Sequence, residues 1–162
     1  SEFDVAQRQA PSVQILTRTF HARELFGGLL GWNSPHRFNC SRLTTAMCGG
    51  LHEVEAAGGR FELRYAHFHQ HVGMLGGILM NADTGEVLCE TRGTYGAGDT
   101  AMNELGYVVA IPPCVWQSRA PQLTLDSNLT SIAQYNASMP HLAVMSMWEM
   151  RGALIASDDV FV

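Results

Sequence analysis

The chain has 162 residues, enough for one full domain and too few for two of ordinary size. Hydrophobic residues make up 46% and charged residues 15%, so a sizeable buried core is expected and wholesale disorder is not. A formal charge of -5 and the absence of any Lys remove the cationic footprint that nucleic acid or an anionic membrane requires, and no apolar run reaches the ~18–20 residues that span a bilayer.

In chain order, the opening "SEF" looks like a cloning scar, which leaves room for a removed export signal. Residues 1–58 read as an irregular arm packed on the rest of the domain: "GGLLGWNSPHRFNCS" is broken by Gly, Pro and Ser, and "FHARELFGGLL" fits one short helix or a docked arm. From residue 59 to 162 the texture is that of a β-domain. "RFELRYAHFHQH" alternates as a half-buried strand does, with Phe61, Leu63 and Tyr65 sharing one parity with the histidines. "GGILMNADTGEVLCE" predicts a hairpin around "NADTG". "TRGTYGAGDTAMNELG" reads as a long Gly-rich loop, and "YVVAIPPCVW" as a buried strand stopped by Pro112 and Pro113. "QLTLDSNLTSIAQYN" supplies two short strands around Ser127 and Asn128, and "HLAVMSMWEMRGALI" a long last one, although its Met and Ala content would also suit a helix. Short strands separated by Gly and Pro predict an all-β antiparallel sandwich or jelly roll.

Two features point to a secreted glycoprotein. Asn-x-Ser/Thr acceptors stand at Asn39, Asn128 and Asn136. Cys40, Cys48, Cys89 and Cys114 lack the Cys-x-x-Cys spacing of a structural zinc site. Disulfides Cys40–Cys48 and Cys89–Cys114 are favoured because each closes a short or moderate loop, with four buried thiols as the alternative.

The sharpest chemical signal is "AHFHQHV", which sets His67, His69 and His71 at alternate positions. Strand geometry sends all three to one side, and neighbouring members of such a row can share one ion. Imidazole is the commonest neutral ligand for copper and zinc. His141, after Pro140 at the start of the last strand, is the candidate further donor, and Met139 offers a thioether that favours Cu(I). The competing readings are solvated imidazoles on an exposed strand, a His141 bonded to a carbonyl, and a Met139 packed in the core. Tyr95 and Glu104, in the Gly-rich loop, are candidates for orienting the site or moving a proton. Their alternative is a loop folded on itself by its own side chains.

The segments "AHFHQHVGMLGGILMNADTGEVLCETRGTYGAGDTAMNELGYVVAIPPC" and "YNASMPHLAVM" together resemble the stress up-regulated nodulin family of plants and algae. The likeness runs from Gly59 to Arg151, with Tyr95, Asn103, Glu104, Tyr107, Cys114, Tyr135 and His141 in the family's order. More distantly, the same order of parts is similar to the C-terminal domain of the copper type II, ascorbate-dependent monooxygenases such as peptidylglycine α-hydroxylating monooxygenase. By position, that resemblance implies copper ligation by His69 and His71 with Met139 as thioether. Those enzymes hold a second copper in a preceding domain that this chain is too short to contain, and His21, His36 and His52 are scattered. The expectation is a secreted protein with a three-histidine copper site at His69, His71 and His141, with Met139 or His67 as extra ligands. It would be a mononuclear oxidoreductase acting on a small molecule or peptide. A non-catalytic copper or zinc binder and an extracellular recognition module are the alternatives.

Overall fold

The computed structural model describes residues 2–27, 50–100 and 105–155. Among these residues, eleven strands form two antiparallel sheets and a small ribbon. The first sheet orders β1 (Glu2–Val5), β11 (His141–Leu154) and β3 (Arg60–Gln70), with the short β8 (Cys114–Val115) and β9 (Gln122–Thr124) both along the free edge of β3. The second orders β2 (Val13–His21), β10 (Asn128–Asn136), β4 (Met74–Asn81) and β5 (Val87–Thr91). A ribbon of β6 (Thr94–Tyr95) and β7 (Val108–Ala110) stands apart. A short 3-10 helix (Ala22–Gly27) and helix α1 (Leu51–Ala56) are the described helices, and neither is long and apolar enough to cross a membrane.

The sheets face each other over one apolar core, which makes the fold the expected all-β sandwich. Phe68 of β3 stacks on Trp148 of β11 with ring centroids 4.5 Å apart. The Phe68 ring also lies flat against the backbone of Gly77 in β4, where a Cβ would come within 2.1 Å of it. Val5, Leu63, Met74, Leu79, Leu129 and Tyr135 join Phe68 as the largest fully buried side chains among the described residues. The Trp148 indole donates across the core to the Ser131 hydroxyl at 3.0 Å, so its polar edge is satisfied inside. A Cys89–Cys114 disulfide ties β5 of one sheet to β8 of the other. That pairing is the one expected; Cys40 and Cys48 lie outside the described residues. These strand orders define a sandwich and leave the finer jelly-roll subdivision an expectation.

Three local expectations are corrected. Residues 1–58 are not irregular throughout, because Glu2–Val5 and Val13–His21 join the two sheets as edge strands. Only Phe20 of β2 is fully buried, so this strand carries almost no hydrophobic alternation to read. "YVVAIPPCVW" is not one buried strand: Pro112 and Pro113 fall between β7 and β8, and both strands are short and largely exposed. The third concerns β3. Tyr65 pairs with Arg151 and Leu63 with Gly152, so Arg64 is an extra residue in the strand, a β-bulge. The bulge reverses the parity: Phe61 and Leu63 face the core before it, whereas Ala66, Phe68 and Gln70 do so after it. His67 and His69 therefore point away from the core, on the face opposite Phe61 and Leu63.

Candidate functional site

The outward face of the β3–β11 pair is set by register. His67 lies opposite Glu149, and their side chains meet at 3.3 Å, Nδ1 to Oε2. His69 lies opposite Met147, so the two side chains rise together from the same face. This pairing with Met147 is invisible to a reading along the chain, because it depends on how two distant strands align.

Past Gln70 the chain leaves the first sheet through a tight turn. The Met74 N–H donates to the His71 carbonyl at 3.2 Å, and Gly73 has φ +95°, as the third position of a type II turn requires. The Tyr95 hydroxyl fastens this turn: it donates to the Met74 carbonyl at 2.5 Å and accepts from the Gly73 N–H at 3.2 Å. Burial pushes the Tyr95 phenol up, partly offset by the Gly73 bond, so it remains a neutral donor. Its hydroxyl is thus committed to holding the turn. The Gly73 carbonyl accepts from the Asn136 N–H at 2.7 Å, anchoring the turn to β10 as well.

The turn folds His71 back toward His69. Their Nε2 atoms stand 3.3 Å apart with ring centroids at 5.3 Å. Two nitrogens at ~2.0–2.1 Å from a tetrahedral ion are themselves about 3.3 Å apart, so the pair has the bite of a two-imidazole clip. The same distance also accommodates an Nε2–H···Nε2 hydrogen bond between two neutral rings.

His141 is placed differently. Its ring packs onto Gly73, where a Cβ would approach within 2.7 Å of Nε2, and that nitrogen is buried without a hydrogen-bond partner. His71 and His141 line one cavity of about 580 Å³. Among the described residues, no group of three or more His, Cys, Asp or Glu side chains is placed to hold a metal ion. The structure thus gathers His69 with His71, engages His67 with Glu149, and sets His141 against the turn. Met139 is 56% exposed, outside the core. Glu104 lies outside the described residues.

An all-β sandwich with a histidine pair on a glycine turn is the class that the fold and site define. The family model described as Stress up-regulated Nod 19 matches residues 50–153, and the chain belongs to that family. The match covers β3 to β11, every element that positions the histidine turn. No curated protein and no solved structure matches the chain. The likeness to the copper monooxygenase domain therefore rests on the order of residues alone.

Proposed function

We propose that this member of the family is a secreted copper-binding protein whose metal is held by the Nε2 atoms of His69 and His71. The observation that carries the reading is their 3.3 Å separation, the span that one first-row ion bridges. Copper is preferred to zinc because Met147, opposite His69, is the side chain in register to add a soft thioether. Bound copper would supply one-electron chemistry. The chain's own residues orient the imidazoles: Tyr95 fixes the turn that carries His71, and the β3–β11 register fixes His69. His141 serves as a wall beside the site, since becoming a ligand would take its ring off Gly73. Two protein nitrogens leave positions open for water, dioxygen or substrate, as a mononuclear oxidoreductase needs. The Cys89–Cys114 disulfide and the three glycosylation acceptors favour the secretory route.

The test is competition for Cu(I) against a chromogenic chelator, using untagged protein. His69→Ala and His71→Ala should each weaken binding by at least about 100-fold, whereas His141→Ala and Met139→Leu should change it by less than about threefold. Equal Cu(I) affinity in all four variants would remove the proposal. A second reading, a recognition module without metal, is favoured by the same short distance taken as a hydrogen bond between two imidazoles. It predicts no stoichiometric copper or zinc at any concentration below the solubility limit of the protein.

A further inference from the structure

The cavity beside His71 has a composition that selects its ligand. Its walls are Val72, Tyr107, Val108, Leu142 and Val144. Among the described residues, no Arg, Asp or Glu lines it. Tyr107 at 63% and Leu142 at 78% are among the most exposed large apolar side chains described, and both stand at its rim. The site is an open depression of about 580 Å³, wide enough to seat a molecule of one or two rings against its apolar side. Among the described residues, a carboxylate or phosphate resting here finds the His71 and His141 imidazoles but no guanidinium, whereas a neutral ring finds five apolar side chains.

The floor is polar. Gln70 is 5% exposed, and both its Nε2 and its Oε1 lack hydrogen-bond partners, as does the Nε2 of His141. Gln70 and His141 both line this cavity. The Gln70 amide is pressed against Gly93, where a Cβ would stand 2.0 Å from Nε2, so the absence of a side chain there is what admits the amide. Buried amides are nearly always bonded, and one left with a free donor and a free acceptor marks a place where a ligand group completes the set.

We propose that this cavity binds a neutral, largely apolar ring compound carrying a hydroxyl, with the ring between Tyr107 and Leu142 and the hydroxyl bonded to the Gln70 amide once that amide turns toward the cavity. The assignment gives the copper proposal its substrate class and rests on that reading only for turnover. Binding to the walls and floor needs no metal.

The experiment therefore uses metal-free, full-length protein and three probes: para-cresol, toluene and para-hydroxybenzoate, followed by backbone amide shifts of Val72, Val108 and Leu142. Para-cresol should bind with a Kd of about 5 mM or tighter, a value ordinary ligand efficiency allows for a molecule of its size. Toluene should bind at least about fivefold more weakly, for loss of one hydrogen bond, and para-hydroxybenzoate at least about tenfold more weakly. Leu142→Asp, a change at an exposed position that leaves folding intact, should abolish the para-cresol shifts. Gln70→Leu should erase the difference between para-cresol and toluene while retaining both. The proposal is overturned if para-cresol moves none of these amides, if the carboxylate binds as tightly as para-cresol, or if the cresol–toluene gap survives in Gln70→Leu. Failure of copper binding leaves each of these outcomes readable, so the two proposals fall separately.

Discussion

The two faces of the β3–β11 pair share one register and one set of backbone hydrogen bonds, yet they are built for different ends. On the inner face Phe68 meets Trp148 at 4.5 Å against the Gly77 backbone, with no room for a further atom. On the outer face His67 meets Glu149 and His69 lies opposite Met147, pairs that leave donors and a thioether at the surface. The Arg64 bulge decides which residues fall on which face. Apolar packing is thus concentrated on one side of the strand and imidazole and thioether side chains on the other, and a substitution should affect stability on the first side and the proposed metal binding on the second.

The largest effect is expected inside. Phe68→Ala removes the ring that Trp148 and Gly77 enclose, and should cost about 3–5 kcal/mol in urea unfolding. His69→Ala, one residue along on the other face, should cost less than about 0.5 kcal/mol. Comparable losses from the two would break the division between faces. Next comes the turn that links the sheets. Gly73→Ala puts a Cβ at φ +95° and against the His141 ring, and about 2 kcal/mol of destabilisation is expected. Tyr95→Phe should cost about 1–2 kcal/mol in the same assay, for two lost hydrogen bonds at a half-buried site. It should also weaken Cu(I) binding by about tenfold through a looser His71, an effect that a purely structural role would not produce.

The smallest effect lies far from the turn, at the β4–β5 hairpin. Asp83 accepts from the Asn128 side chain at 2.7 Å and its backbone N–H at 2.8 Å, and these bonds hold its carboxyl below the ordinary range. A depressed folded-state pKa contributes stability that is present above the unfolded value and lost as pH falls through the folded one. Asp83→Asn should therefore be slightly less stable than the parent at neutral pH, and the difference should shrink as the pH drops into the acid range below about 4. A gap that stays constant down to acid unfolding would show that Asp83 ionisation does not matter to the fold. Asn128 opens an Asn-Leu-Thr motif, and a glycan attached there should narrow the same gap.

Much of this architecture is legible along the chain. The hairpin was readable because "NADTG" is a turn sequence flanked by apolar runs, and in the fold the Asn81 side-chain oxygen accepts from the Asp83 N–H at 3.0 Å. The long β3 is readable from alternation and Cys89–Cys114 from loop length, whereas the Met and Ala content of β11 fits a helix as well as a strand. The direction of the histidines was not, since one unpaired residue at Arg64 inverts parity and leaves no mark on composition. The meeting of His71 with His69 depends on a turn beyond the strand end, where simple alternation stops applying. Met147 was missed because cross-strand neighbours are set by register, although "MSM" at residues 145–147 on an alternating strand was a usable sign of thioethers on one face. The sequence order of Met139 and His141 suggested ligands; in the fold the His141 ring packs onto Gly73 and Met139 is exposed outside the core.

Which imidazole nitrogens take the metal is the most direct test of the proposed copper site. Long-range proton–nitrogen spectra of the histidine rings, recorded as one equivalent of diamagnetic Cu(I) is added under argon, report each Nε2 and Nδ1 separately. The prediction is that the Nε2 resonances of His69 and His71 shift together and saturate at one equivalent, while those of His67 and His141 stay in place. Movement of His141 without the pair, or no saturating shift at His69 and His71, would contradict it.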